Sequence, residues 1–163
     1  MFGSKGMNRS GIEASFAKGM LHRSMTDATN STGNSVASLT TSVTDADVGA
    51  KRGIAVIGVT GTSSGAWHYT LNGGTTWIAL SATSITAALL LPSNGSLTKL
   101  RYVLNLNFVG TVSISYRAWD QTSGTAGSFA NVATASLVGG NTAFSAAIET
   151  ACLTVGPLFA SLD

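Results

Sequence analysis

Residues 66–80 read AWHYTLNGGTTWIAL. Two aromatic-rich runs flank Asn72-Gly73, the dipeptide that best tolerates the positive φ angles of a type I′ turn, so this stretch predicts a two-stranded hairpin. Upstream, GIAVIGVTG (53–61) is a compact β-branched run with glycine at both ends. Farther up, SVASLTTSV (35–43) alternates weakly, with Val36, Ser38 and Thr40 on one side. Downstream, ITAALLL (85–91) stops at Pro92, and AAIETACLTV (146–155) supplies a last strand. KLRYVLNLNF (99–108) and TVSISYRAW (111–119) predict a second hairpin around Val109-Gly110. Strands of five to nine residues between turn signals, with no helical period after residue 30, predict an all-β, antiparallel β-sandwich over residues 27–156.

The strand 111–119 sets a puzzle. Val112, Ile114, Tyr116 and Ala118 alternate with Thr111, Ser113, Ser115, Arg117 and Trp119, which puts Trp119 on the hydrophilic side. Burial of this indole therefore requires a bulge near Arg117. The polar run that follows, Gln121 to Gly127, has nothing to bury, so RAWDQTSGTAG (117–127) reads as a structural corner.

Composition bounds the function. In a chain of 163 residues, 10% are charged and 44% apolar, so one domain with a core and a hydroxyl- and amide-rich surface is expected. The net charge of +2 is uneven: Lys5, Arg9, Lys18 and Arg23 against Glu13 give residues 1–25 a net +3, leaving −1 for the rest. A body so near neutrality lacks the basic face that nucleic acid requires. No run of 18 apolar residues is present, so no membrane span is expected. The leader, residues 1–26, carries a Ser10/Glu13 capping box and apolar Ile12, Phe16, Met20 and Leu21 at about four-residue spacing, the pattern of a short basic helix. It reads either as a tag or as a docking segment through which copies associate. Residues 157–163 read as a tail.

Chemistry-bearing residues are few. The single cysteine, Cys152, excludes an internal disulfide and a cysteine metal cluster, and reads as a small core residue. His68 reads as an exposed strand position, and no GxSxG elbow or phosphate-binding glycine loop appears. No catalytic constellation emerges, and an enzyme is not expected. One acidic pair stands out: Asp45 and Asp47, two apart, project to the same side of an extended segment, where with Asp120 they are candidate ligands for a hard cation such as calcium. The alternative is that they are solvated loop residues making Asx turns. Trp67 and Trp77 flank the hairpin turn; at least one is expected in the core, and a carbohydrate platform through the pair is the weaker reading.

Several stretches together resemble a known family: VTDADVGAKRGIAVIGVTGTSSGAWHYTLNGGTTW, SATSITAALLL, LRYVLNLNFVGTVSISYRAWDQTSGTAGS and GGNTAFSAAIETACLTV, in that order. They are similar to one module of the cadherin-like, immunoglobulin-like repeats strung in tandem through large bacterial surface and secreted proteins. The resemblance implies an extracellular or cell-surface β-sandwich acting as a spacer or adhesive segment toward a protein or glycan surface, often stiffened by calcium, with no cofactor required. It also implies that Trp119 is a buried anchor and Asp120 a loop-capping or cation-facing residue. The chain departs from the pattern at Asn72-Gly73-Gly74, where Asp-Gly-Gly is usual, at Leu104 in place of proline, and at Cys152 in place of a small polar residue. The loss of an acid at the turn weakens the calcium expectation. A second expectation, from the leader and an open sheet edge, is a self-assembling subunit of a filament, surface layer or virion.

Overall fold

The computed structural model describes residues 32–45, 49–105 and 108–155. The leader, the tail and Asp47 lie outside the described residues. The smaller of two antiparallel sheets has the order β1 (Asn34–Ser35), β6 (Lys99–Leu104), β3 (Gly65–Thr70), β4 (Ile78–Ala79). The larger has the order β8 (Phe129–Ala130), β5 (Ala88–Pro92), β2 (Gly53–Val59), β7 (Gly110–Trp119), β9 (Glu149–Val155). The β-sandwich expected from the strand rhythm is present.

Between the sheets, Ile54, Val56, Leu89, Leu91, Val112, Ile114 and Tyr116 pack against Trp67, Tyr69, Leu100 and Tyr102. These are alternate residues of each strand, as a period of two requires. The larger sheet has a second buried face. Ala55 and Ile57 of β2, Ala88 and Leu90 of β5 and Trp119 of β7 form a separate cluster, roofed by Val132, Ala143 and Phe144 from the stretch 120–148 between β7 and β9. This explains why β2 and β5 are continuously apolar: a strand covered on both faces has no face on which to alternate.

The second layer resolves the Trp119 puzzle differently from the expected bulge. β7 pairs with β2 in unbroken register at this end, Tyr116 opposite Val56, Arg117 opposite Ala55, Ala118 opposite Ile54 and Trp119 opposite Gly53. The irregularity lies on β2, between Val56 and Gly58. Trp119 is on the outer face, as alternation dictates, and is 1% exposed because that face is covered. Gly53 makes room for it: a Cβ there would stand 2.7 Å from both the indole and the Leu91 carbonyl oxygen.

Four other local expectations are corrected. β6 and β7 do not form a hairpin; they belong to different sheets. Residues 66–80 do form an antiparallel pair, His68 opposite Ala79 and Tyr69 opposite Ile78, but the turn is not type I′. Positive φ falls on Gly73 (75°) and Gly74 (102°) and not on Asn72. The Asn72 side chain instead ties the longer loop, its Oδ1 accepting from the Thr76 amide at 2.9 Å and from the Thr70 hydroxyl at 2.8 Å. The weakly alternating run 35–43 contains a one-turn helix, α1 (Val36–Leu39), capped by Ser35 Oγ accepting from the Ser38 amide at 3.3 Å. Val36 and Leu39, three apart, both bury their side chains, a spacing that period-two reading misses. Cys152 is half-buried on the outward side of β9 and fills no core position.

Candidate functional site

Most of the groups able to do chemistry gather where β7 ends and β9 begins. Arg117 projects onto the outer face of the larger sheet and is nearly buried. Its Nη1 donates to the Ser145 carbonyl at 3.1 Å and to the Ala146 carbonyl. Ser145, fully buried, accepts from the Ala118 amide at 2.8 Å through its hydroxyl and donates that hydroxyl to the Ala147 carbonyl at 2.9 Å. Its own amide donates to the Ala118 carbonyl at 2.9 Å. The Trp119 indole donates to the Ser123 carbonyl at 2.7 Å, and the Asp120 amide to the Ala143 carbonyl at 3.0 Å. These bonds hold the stretch 120–148 against the sheet, so Arg117 and Ser145 act as fasteners. The apolar–polar reading of 111–119 had no means of separating a solvated Arg117 from a fastening one. Its adjacency to a tryptophan at the strand end was the only signal.

Asp120 is 4% exposed and caps the following turn, its Oδ1 accepting from the Thr122 amide at 2.9 Å and the Thr122 hydroxyl at 2.6 Å. This matches the loop-capping role that the resemblance implied. Gln121 has a φ of 63°, the only positive value at a described non-glycine residue, and its side-chain amide donates to the Arg52 carbonyl at 2.5 Å. It borders an open polar groove of about 430 Å³ lined by Ala50, Lys51, Arg52, Ser93, Asn94 and Gln121.

Of the three calcium candidates, Asp45 and Asp120 are described and Asp47 is not. Val43 packs against Ala118, so Asp45 and Asp120, each two residues past that contact, lie at one end of the sandwich. Among the described residues no group of three His, Cys, Asp or Glu is placed to hold a metal ion.

On the outer side of the smaller sheet, His68 stands opposite Arg101, whose guanidinium lies 4.0 Å from the centre of the half-buried Trp77 ring. His68 is half-buried, not exposed as expected. Burial is the main cause that lowers its pKa, and the Arg101 charge adds to it, so the imidazole is neutral at pH 7. Trp67 is 2% exposed and donates its indole N–H to the Thr60 carbonyl at 2.9 Å, which removes it from any surface platform.

Glu149 opens β9 opposite Tyr116, 2% exposed, with one carboxylate oxygen lacking a hydrogen-bond partner. Burial raises its pKa above the ordinary value of 4.5. Burial also raises the Tyr116 pKa, and the Glu149 charge raises it further. A carboxyl with a raised pKa holds its proton more tightly folded than unfolded. Its contribution to stability is therefore greatest below the unfolded pKa and is lost as pH rises through the folded one. Glu149→Gln is expected to melt higher than wild type at pH 7, the gap closing as pH falls below about 4. Parallel melting curves from pH 3 to 8 check this, and a gap that widens on acidification contradicts it.

No helix among the described residues is long and apolar enough to cross a membrane. Compared with family models, curated proteins and solved structures, the chain matches none of them.

Proposed function

We propose that this chain is a non-catalytic structural or adhesive module of a bacterial extracellular or surface protein. The observation that supports it is the use made of the reactive side chains. Arg117, Ser145 and Trp119 are committed to fastening residues 120–148 over a sheet that is already packed on its other face, and Asp120 to capping the turn that begins that stretch. A sheet covered on both faces resists shear, which is what a spacer needs. The sequence resemblance to tandem surface repeats points the same way. Calcium at Asp45, Asp47 and Asp120 belongs to this proposal as a stiffening element. A hundredfold excess over the dissociation constant adds about 2.7 kcal/mol, read as a rise in melting temperature that chelator reverses. Melting indifferent to millimolar calcium removes it.

The mechanical reading is tested by stretching a head-to-tail polyprotein of the chain. Each copy should unfold in one step releasing about 400 Å, from roughly 3.4 Å per extended residue over the sandwich. Extension without discrete steps overturns it.

A second reading, a self-assembling subunit, is favoured by one observation: among the described residues, β9 leaves a seven-residue strand at the edge of the larger sheet. In the form that uses the leader as the dock, removing residues 1–25 lowers the mass measured by light scattering. An unchanged mass removes that form. The carbohydrate reading is left with Trp77 alone.

A further inference from the structure

Sheet edges invite pairing with other chains, and proteins blunt them by shortening the edge strand or placing charge or proline on it. Three of the four edges among the described residues are blunted in the first way: β1, β4 and β8 have two residues each. β9 is the exception. Its seven residues, ETACLTV, pair among the described residues only with β7 and contain no lysine or proline. Its one charge, Glu149, is buried at the first position. Thr150, Cys152 and Thr154 face outward, and Ala151, Leu153 and Val155 face the core.

We propose that β9 pairs antiparallel with β9 of a second copy about a two-fold axis at Cys152, joining two larger sheets into one. The support is the strand's self-complementarity. About that axis Thr150 meets Thr154 of the other copy on the outer face and Ala151 meets Leu153 on the core face, while Cys152 meets itself. Residues so paired share both face and backbone direction, so outward N–H and C=O groups find each other, as an antiparallel ladder requires. The least matched rung is the end one, Glu149 opposite Val155. The leader, broken by Gly3, Gly6, Gly11 and Gly19, is a poorer strand to add to this edge. The inference goes beyond the spacer reading and does not depend on it. It also differs from docking through the leader.

The pairing places the two Cys152 α-carbons about 4.5–5.5 Å apart, within reach of a short bismaleimide. Because the chain has one cysteine, any cross-linked product joins Cys152 to Cys152. The full chain at tens of micromolar is expected to show the mass of two chains by light scattering and to cross-link far above a urea-unfolded control. Thr150→Lys/Thr154→Lys places lysine opposite lysine on two rungs without touching the core. It should lower the cross-link yield by about tenfold, as like charges on two rungs would, while circular dichroism stays unchanged. A monomer mass overturns the proposal. So does a dimer that persists in the lysine variant, or one that cross-links no better than the unfolded control. Should the variant not fold, the wild-type comparison with that control decides alone.

Discussion

Trp119→Ala is expected to cost about 3–5 kcal/mol, the range for emptying a fully buried aromatic site. For a domain whose whole stability is on the order of 5–15 kcal/mol, that is at least about a fifth of the total. The indole is 1% exposed, donates to the Ser123 carbonyl, and fills the space beside Gly53. Collapse into the cavity is opposed because the roof is independently pinned. Arg117 holds Ser145 and Ala146, and Gly124, at a φ of 88°, lies so close to Leu90 that a Cβ there would collide with it. The loss should appear as a large fall in melting temperature, with protease cutting within 120–148 at temperatures where wild type resists. Unchanged melting would mean that the outer layer contributes nothing to the fold.

Trp67→Ala is expected to cost a similar 3–5 kcal/mol by a different route, because it empties the layer between the sheets. Trp67 packs on Tyr102 with ring centroids 5.1 Å apart, and its N–H serves the Thr60 carbonyl beyond the end of β2. Its removal leaves that carbonyl unserved as well as a void. The whole sandwich should melt together, so tryptophan fluorescence and far-ultraviolet dichroism should move in step. Trp77→Ala supplies the contrast. It removes a half-exposed ring and a cation–π contact worth about 0.5–1 kcal/mol at such a site. Equal effects of the two substitutions would contradict the assignment of one tryptophan to the core and the other to the outer side of the smaller sheet.

The strand rhythm of the sequence was enough for the sandwich, because alternation along 111–119 and the turn signals around 66–80 are local. What it did not reveal is pairing between distant segments. The neighbours 99–108 and 111–119 look like a hairpin by every local sign, yet β6 pairs with β3 and β7 with β2 and β9. The second layer was hidden for the same reason. The residues that roof Trp119 are Val132, Ala143 and Phe144, isolated apolar positions in a stretch otherwise rich in Ser, Thr, Gly and Asn, with no period to betray them. The chemistry-bearing residues were visible by type but not by role. For Asp120 the resemblance left a cap and a cation-facing role open, whereas Arg117 and Ser145 became fasteners only through contacts 28 and 29 residues away and 27 residues away.

The two-sided cover of β2 has a consequence for how the chain is made. GIAVIGV leaves the ribosome with only α1, of all the elements that cover it, already made. Its first sheet partner, β5, follows within about 40 residues, but β7 is complete only at Trp119, and the outer roof closes only with Phe144. At roughly 5–20 residues per second, the sixty residues from Val59 to Trp119 take about 3–12 s, during which an apolar strand lacks its β7 neighbour and its outer roof. That interval, and not the finished molecule, is when this protein is most exposed to aggregation, and slowing elongation between codons 60 and 119 should lower its soluble yield.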